Sequence, residues 1–196
     1  MLDIVRRQLQ QSIDTLTGVL NDDSIHKSLL EAARVTSDAM RSGRKLLVCG
    51  NGGSAADSQH IVAEFVVRLT VDRPALRAVA LTTDSSILTA IGNDYDYDHL
   101  FSRQVEALGV AGDVLLAIST SGNSRNCIKA LEVARDLQLT TIAFTGNGGG
   151  KMAALTDINV IVPCAVTMNI QESQLALEHI FCMLVERCYF GEDFDK

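Results

Sequence analysis

Apolar residues recur at Leu2, Val5, Leu9, Ile13, Leu16 and Leu20, a spacing that predicts an amphipathic helix over residues 2–20. The polar turn Asn21-Asp22-Asp23 ends it, and a second helix is predicted to about Arg41. From Lys45 onward the period changes. Short apolar runs, LLVC, AVALTT, VLLAI, TIAFT and INVIV, alternate with helical stretches. Those stretches start at Ser54, run from Ser85 to Ile91 and Leu100 to Leu108, from Asn123 to Leu137, briefly at Met152, and from about Ile170 to Phe190. Strands that read as continuous apolar runs between helices predict a mostly parallel sheet covered on both faces, a three-layer α/β sandwich.

No linker, repeat or low-complexity tract interrupts the pattern, and the two prolines, Pro74 and Pro163, both stand beside predicted strands. Residues 1–196 therefore read as one domain, a helical pair over 1–42 followed by an α/β core over 45–190. The leading pair either packs on another subunit or caps the sheet. The last six residues, GEDFDK, read as a frayed acidic tail.

Composition narrows the classes. At 47% hydrophobic and 21% charged, 196 residues suffice for a real core. The longest apolar runs fall far short of the ~20 residues a membrane span needs, and the N-terminus is amphipathic rather than signal-like, so a cytoplasmic protein is expected. Five cysteines without a CxxC pair fit buried thiols better than a disulfide framework. A net charge of -7 without a Lys/Arg cluster argues against a nucleic-acid partner.

Candidate chemistry starts where the first strand ends. Gly50 to Ala55 fits the dinucleotide fingerprint GxGxxG/A, but the acidic residue expected ~20 positions on is absent there; the next strand ends in Thr82-Thr83-Asp84, some thirty residues away. The GNGGGK stretch before Met152 has too few residues between Gly146 and Gly150 for a P-loop, and Met152 stands where Ser or Thr is required. Ser119-Thr120-Ser121-Gly122-Asn123-Ser124 directly follows a strand and opens a helix. Its hydroxyls, its glycine and the N–H groups of a helix start make a cradle for a phosphate monoester. Paired with the turn at residues 50–54, it fits ligand binding at the carboxyl ends of strands. His60 and Glu64, four residues apart, share one helical face. His179, amid Leu177, Ile180 and Met183, reads by itself as a core or interface histidine, and His26 and His99 carry no chemistry.

GNGGSAADSQH at 50–60, Thr82-Thr83-Asp84, GNDY at 92–95, FSRQVEALG at 101–109, GDVLLAISTSGNS at 112–124 and the IQE…H pattern at 170–179 stand in order. With them the chain resembles, over nearly its whole length, the sugar isomerase (SIS) family, most closely its heptose branch. The resemblance implies a flavodoxin-like fold with a five-stranded parallel sheet, and a homotetramer with active sites at subunit interfaces. It implies isomerisation of a seven-carbon ketose phosphate to the aldose through an enediolate, in bacterial heptose biosynthesis for lipopolysaccharide core or capsule. Ser119, Thr120, Ser121 and Ser124 would hold phosphate, and Asn51, Gly52, Gly53, Asn93 and Asp94, with Glu64 and Gln171, the sugar. His60, Glu64, Gln171 and His179 would bind one zinc ion per subunit, Glu64 acting as base and His179 as acid; Arg68 would face the same site. Members of the family carry Arg or Lys where Asn169 stands, and His where Gln174 stands.

Two expectations follow. Gln171 and His179 would lie ~12 Å apart along one ideal helix. They are therefore expected to serve from different subunits, or Gln171 to lie outside regular helix. A carboxylate fully engaged with zinc is a poor base, so Glu64 must shift coordination or the metal must mainly organise the site. The rival reading is a non-catalytic SIS tetramer that acts as a scaffold for the bacterial replication initiator. Retention of His60, Glu64 and His179 favours the enzyme. A phosphosugar-sensing regulator would carry an attached effector domain, and the chain has none.

Overall fold

A computed structural model describes residues 1–191, 193 and 194. Helices α1 (Leu2–Leu20) and α2 (Asp23–Arg41) precede strand β1 (Leu46–Gly50) and helix α3 (Gly53–Val66). There follow β2 (Ala78–Ala80), α4 (Ser85–Asp94), α5 (Ser102–Leu108), β3 (Val114–Ser119), α6 (Arg125–Asp136), β4 (Thr140–Thr145), β5 (Ile158–Ile161) and α7 (Thr167–Phe190). The five strands pair in parallel in the order β2-β1-β3-β4-β5, as expected of a flavodoxin-like sheet.

Each central strand feeds two cores because successive side chains leave opposite faces. Leu46 and Val48, Val114, Leu116 and Ile118, and Ile142 and Phe144 point to the layer of α2, α3 and α7. Leu47 and Cys49, Leu115 and Ala117, and Ala143 point to the layer of α5 and α6. Cys49, Cys127 and Cys182 are buried free thiols and Cys164 and Cys188 are half-buried, none of them in a disulfide.

The run AVALTT forms a strand only at Ala78–Ala80. An edge strand has one neighbour, and after Leu81, whose amide still donates to the Val48 carbonyl, the chain leaves β1 to cap α4, with the Asp84 side chain accepting from the Ile87 amide. The last helix starts earlier than expected, at Thr167, and takes in Gln171. The alternative that Gln171 lies outside regular helix is therefore wrong: no proline or glycine stands between Val166 and Gly191 to break the ladder.

The leading helices split their roles. Asp22 caps α2 through the Ser24 amide, and α2 buries Ile25, Leu29, Ala32, Ala33 and Met40 against the core. Helix α1 meets α7 through polar contacts: Gln8 donates to Asn169, Asn169 to Ser12, and Ser12 to Glu172. Its predicted apolar stripe faces out, with Leu2, Leu9 and Leu20 each at least 61% exposed. Of the acidic tail, Glu192, Asp195 and Lys196 lie outside the described residues; Phe194 stacks on Phe190.

The two departures from the family pattern both point inward. Asn169 helps tie α1 to α7 through Gln8 and Ser12, and Gln174 is fully buried. One turn on, Glu178 is also fully buried, and its carboxyl oxygens find no hydrogen-bond partner among the described residues. Burial, reinforced by the like charge of Asp57, pushes its pKa from 4.5 up to about 8. The folded state thus keeps a proton on Glu178 that the unfolded chain gives up near pH 4.5. Glu178 opposes folding least below pH 4.5, and stability falls, at up to about 1.4 kcal/mol per pH unit, as pH rises towards 8. Thermal melting between pH 5 and 8 should show a decline that Glu178→Gln flattens; an unchanged pH slope in that variant would contradict the assignment.

Candidate active site

The strand order reverses direction at β1 and β3: the chain passes from β1 outward to β2, then returns across to β3. Loops that leave the carboxyl ends of such neighbouring strands part to opposite sides and open a crevice, as they do in flavodoxin, whose sheet has this same strand order. Both sequence-predicted turns lie on that edge, Asn51–Gly52 after β1 and Ser119–Ser124 after β3.

In the second turn three hydroxyls converge. Ser119 Oγ is 2.9 Å from Ser124 Oγ and 3.4 Å from Ser121 Oγ. Ser124 is the N-cap of α6 but its side chain makes no capping bond, so the hydroxyl stays with the cluster at the positive end of the helix dipole. Thr120 anchors the turn from behind, its carbonyl accepting from the Gly146 amide. Gly122 has φ +62, and a Cβ there would strike the Gly149 carbonyl, so the serine loop needs glycine to dock on the loop after β4. That gives the GNGGG stretch a structural role.

The first turn is braced by residues that motif reading does not find. Asn51 and Asn126 exchange amide hydrogen bonds of 2.9 and 2.8 Å, and the Tyr97 hydroxyl donates to Asn51 Oδ1 at 3.0 Å. The Asn51 side chain thus joins the turn to α6 and to the segment after α4. Nothing local in the sequence marks Asn126 or Tyr97. Tyr97 stands two residues past the GNDY motif, and Asn126 two residues past STSGNS.

Helices α3 and α7 supply the titratable groups. They run side by side in the same direction: Gln171 Nε2 donates to Asp57 Oδ2 at 3.0 Å near their starts, and His60 and His179 meet further along. Gly53 allows this closeness, since a Cβ there would collide with the Gln171 carboxamide. His60 Nε2 lies 2.8 Å from His179 Nε2, the rings edge to face, and 3.6 Å from Glu64 Oε1. One imidazole must donate and the other accept across that short contact. Burial raises the Asp57 pKa while the Gln171 hydrogen bond opposes it.

The single chain therefore brings together His60, Glu64 and His179, but leaves Gln171 apart with Asp57. Asn93 and Asp94 sit at the exposed end of α4, hydrogen-bonded to each other, and Asp94 lines a cavity of about 350 Å³ with Ile87, Tyr95 and Arg103. Arg68 lies beyond the end of α3, exposed to solvent. His99 is held by Asp96 and Lys129, in keeping with a structural part.

The donor set fits zinc in kind, two imidazole nitrogens and a carboxylate, with His60 Nε2 2.8 Å from His179 Nε2 and 3.6 Å from Glu64 Oε1. Among the described residues, however, no three His, Cys, Asp or Glu side chains stand arranged around a common point. Metal binding thus requires the His60–His179 hydrogen bond to open.

A model of the SIS domain matches residues 9–146. The chain is 48% identical over 194 residues to a phosphoheptose isomerase of Aneurinibacillus thermoaerophilus, covering 99% of this chain and 98% of that protein. It is 46% identical to a phosphoheptose isomerase of Akkermansia muciniphila, over 97% of this chain and 100% of the relative. Two solved phosphoheptose isomerases superpose closely. That of Neisseria gonorrhoeae has a TM-score of 0.88 at 43% identity, covering 94% of this chain and 98% of that one. For Francisella tularensis the values are 0.91 and 35%, with 95% and 98% covered. Matched across most of its length by the family model and almost throughout by these relatives, the chain belongs to the SIS family, in its phosphoheptose isomerase branch.

Proposed function

We propose that the chain converts sedoheptulose 7-phosphate to D-glycero-D-manno-heptose 7-phosphate in the bacterial cytoplasm, supplying heptose for lipopolysaccharide core or capsule. The observations that carry the reading are the meeting of His60, Glu64 and His179 from two helices and the hydroxyl cradle that follows β3 at the switch point. The scaffold alternative is not favoured, since the relatives matched at 43% identity or more over nearly the full chain are isomerases.

Ser119, Thr120, Ser121 and Ser124 hold the phosphate at the start of α6, and Asn51, Gly52, Gly53, Asn93 and Asp94 take the sugar hydroxyls, with the Asn51 carboxamide itself committed to Asn126 and Tyr97. Glu64 removes a proton from C1 of the ketose, and His179 gives one to the C2 oxygen, which leaves the C1–C2 enediol. Glu64 returns its proton to C2 as the C1 hydroxyl gives one up, so no atom is gained or lost. The charge that develops on oxygen in between needs a positive partner. His60, Glu64, Gln171 and His179 are the residues that would hold zinc, one ion per subunit, and a bound zinc would supply a Lewis acid for that charge. Gln171 and His179 of one chain serve different sites in a homotetramer, where a neighbour supplies what each lacks.

The exposed stripe on α1 supports that assembly: Leu2, Leu9, Ile13, Leu16 and Leu20 form an apolar helix face that this chain does not cover. Light scattering should give a mass about four times the 21.1 kDa of the chain, and Leu9→Glu with Ile13→Glu should lower it. A monomeric mass for the unaltered protein would refute the assembly.

The reaction is tested by incubating purified protein with sedoheptulose 7-phosphate, with chelator and with added zinc, and following the aldose. Glu64→Gln should abolish turnover and leave phosphosugar affinity within about tenfold. Zinc retained after dialysis should amount to one equivalent per chain, and His179→Gln should lose it. Absence of product under every metal condition would return the scaffold reading.

A further inference from the structure

Arg73 lies on the loop that descends from α3, seven residues past the helix end, and its side chain is 1% exposed. Each guanidinium nitrogen is engaged, giving five hydrogen bonds. Nε and Nη2 donate to the Glu186 carboxylate on α7 at 2.8 and 2.6 Å. Nη2 also donates to the Glu64 carbonyl at 2.7 Å, and Nη1 to the carbonyls of Phe65 and Pro74 at 2.7 and 3.2 Å. Glu64 and Phe65 belong to the last turn of α3, where backbone carbonyls lack helical partners. The Glu186 side chain is 2% exposed. The pair is thus a sealed bolt between the end of α3 and α7.

Two consequences reach the reacting groups. First, the bolt fixes the height of α3 on α7 at the very residue that carries the Glu64 carboxylate. At the opposite end the two helices are joined by Gln171 and Asp57, with Phe65 against Phe181 between, so the His60–His179 contact is held from both sides. Second, Glu186 occupies the guanidinium. Arg73 already binds the Glu64 backbone carbonyl, and without Glu186 it would be an uncompensated buried cation anchored on the residue that carries the Glu64 carboxylate. Cys182, one turn before Glu186, is within electrostatic reach of these groups: burial and the carboxylates of Glu64, Glu178 and Glu186 push its thiol upward, and Arg73 opposes them.

We propose that Arg73 and Glu186 are positioning residues for the isomerisation: they set the Glu64 end of α3 against α7 and keep the Glu64 carboxylate turned to His60 and away from the guanidinium. The inference rests on Glu64 being the base. It assigns work to residues 113 positions apart that touch no substrate atom.

The test is Glu186→Gln, which keeps an oxygen in the place that receives both Arg73 bonds and removes only the charge. It is assayed on sedoheptulose 7-phosphate beside the unaltered protein, with thermal melting. We expect kcat to fall at least tenfold with KM within about threefold, because the phosphate cradle is untouched, and Glu186→Asp, which restores the charge, to recover most of the loss. Should Glu186→Gln melt too low to assay, Arg73→Met with Glu186→Met leaves no buried charge and takes its place. That double variant should fold and still turn over at less than a tenth of the normal rate. A kcat within twofold of normal in the assayed variant, or KM rising in step as kcat falls, would overturn the inference. Failure of the functional reading is separately visible, as absence of turnover in the unaltered protein.

Discussion

Two helices that leave different strands and come to lie side by side in the same direction set the terms for the rest of this molecule. Helix α3 begins at the turn after β1, and α7 follows β5 at the far edge of the sheet. Both pack on one face of the sheet, where Phe65 and Phe181 meet edge to face. Because α3 and α7 are parallel, each step along one has a counterpart on the other: Gly53 with Gln171, His60 with His179, and the end of α3 with Glu186 through Arg73. Were the helices antiparallel, Glu64 and His179 would stand at opposite ends, and the proposed base and acid could not share a carbon pair.

That pairing explains why the interior carries so much polarity. A close-packed helix pair would ordinarily be apolar; this one buries Asp57, Gln174, Glu178, Arg73 and Glu186. Some of these are satisfied, Arg73 at every nitrogen by Glu186 Oε1 and backbone carbonyls. Glu178 is not, and it holds its proton up to about pH 8, at a cost in stability that grows as pH rises from 4.5 towards 8. The serine turn proposed to hold phosphate needs none of this. A serine cluster at a helix start on a sheet edge recognises an anion with backbone and hydroxyl groups, which suits a chain of net charge -7.

Much of this was legible in the residues. Continuous apolar runs marked the strands because both faces of the sheet are covered, and the two turns at the switch point were readable as GNGGS and STSGNS. The run AVALTT over-reads as strand because sequence cannot tell an edge strand, which leaves the sheet early, from a central one. The stripe on α1 was plain, yet its direction was not, for an amphipathic period is the same whether the apolar face meets its own core or another chain. His60 and Glu64 were found by spacing on one helix. Their braces were not: Asn126 for Asn51 lies 75 residues on, and Glu186 for Arg73 113 residues on. Such pairs are joined only by the fold, and no local pattern carries them.

In the reaction proposed for this chain a proton is carried between C1 and C2 by a carboxylate on α3, through an enediolate. Running the isomerisation in deuterium oxide and reading the aldose by proton NMR tests it directly. Deuterium at C2 of the product, and washed into C1 of recovered ketose, is the predicted result, because a proton held on Glu64 can exchange with solvent before it returns. Complete retention of the original hydrogen, moved intact from C1 to C2, would indicate hydride transfer and rule out Glu64 as the proton carrier.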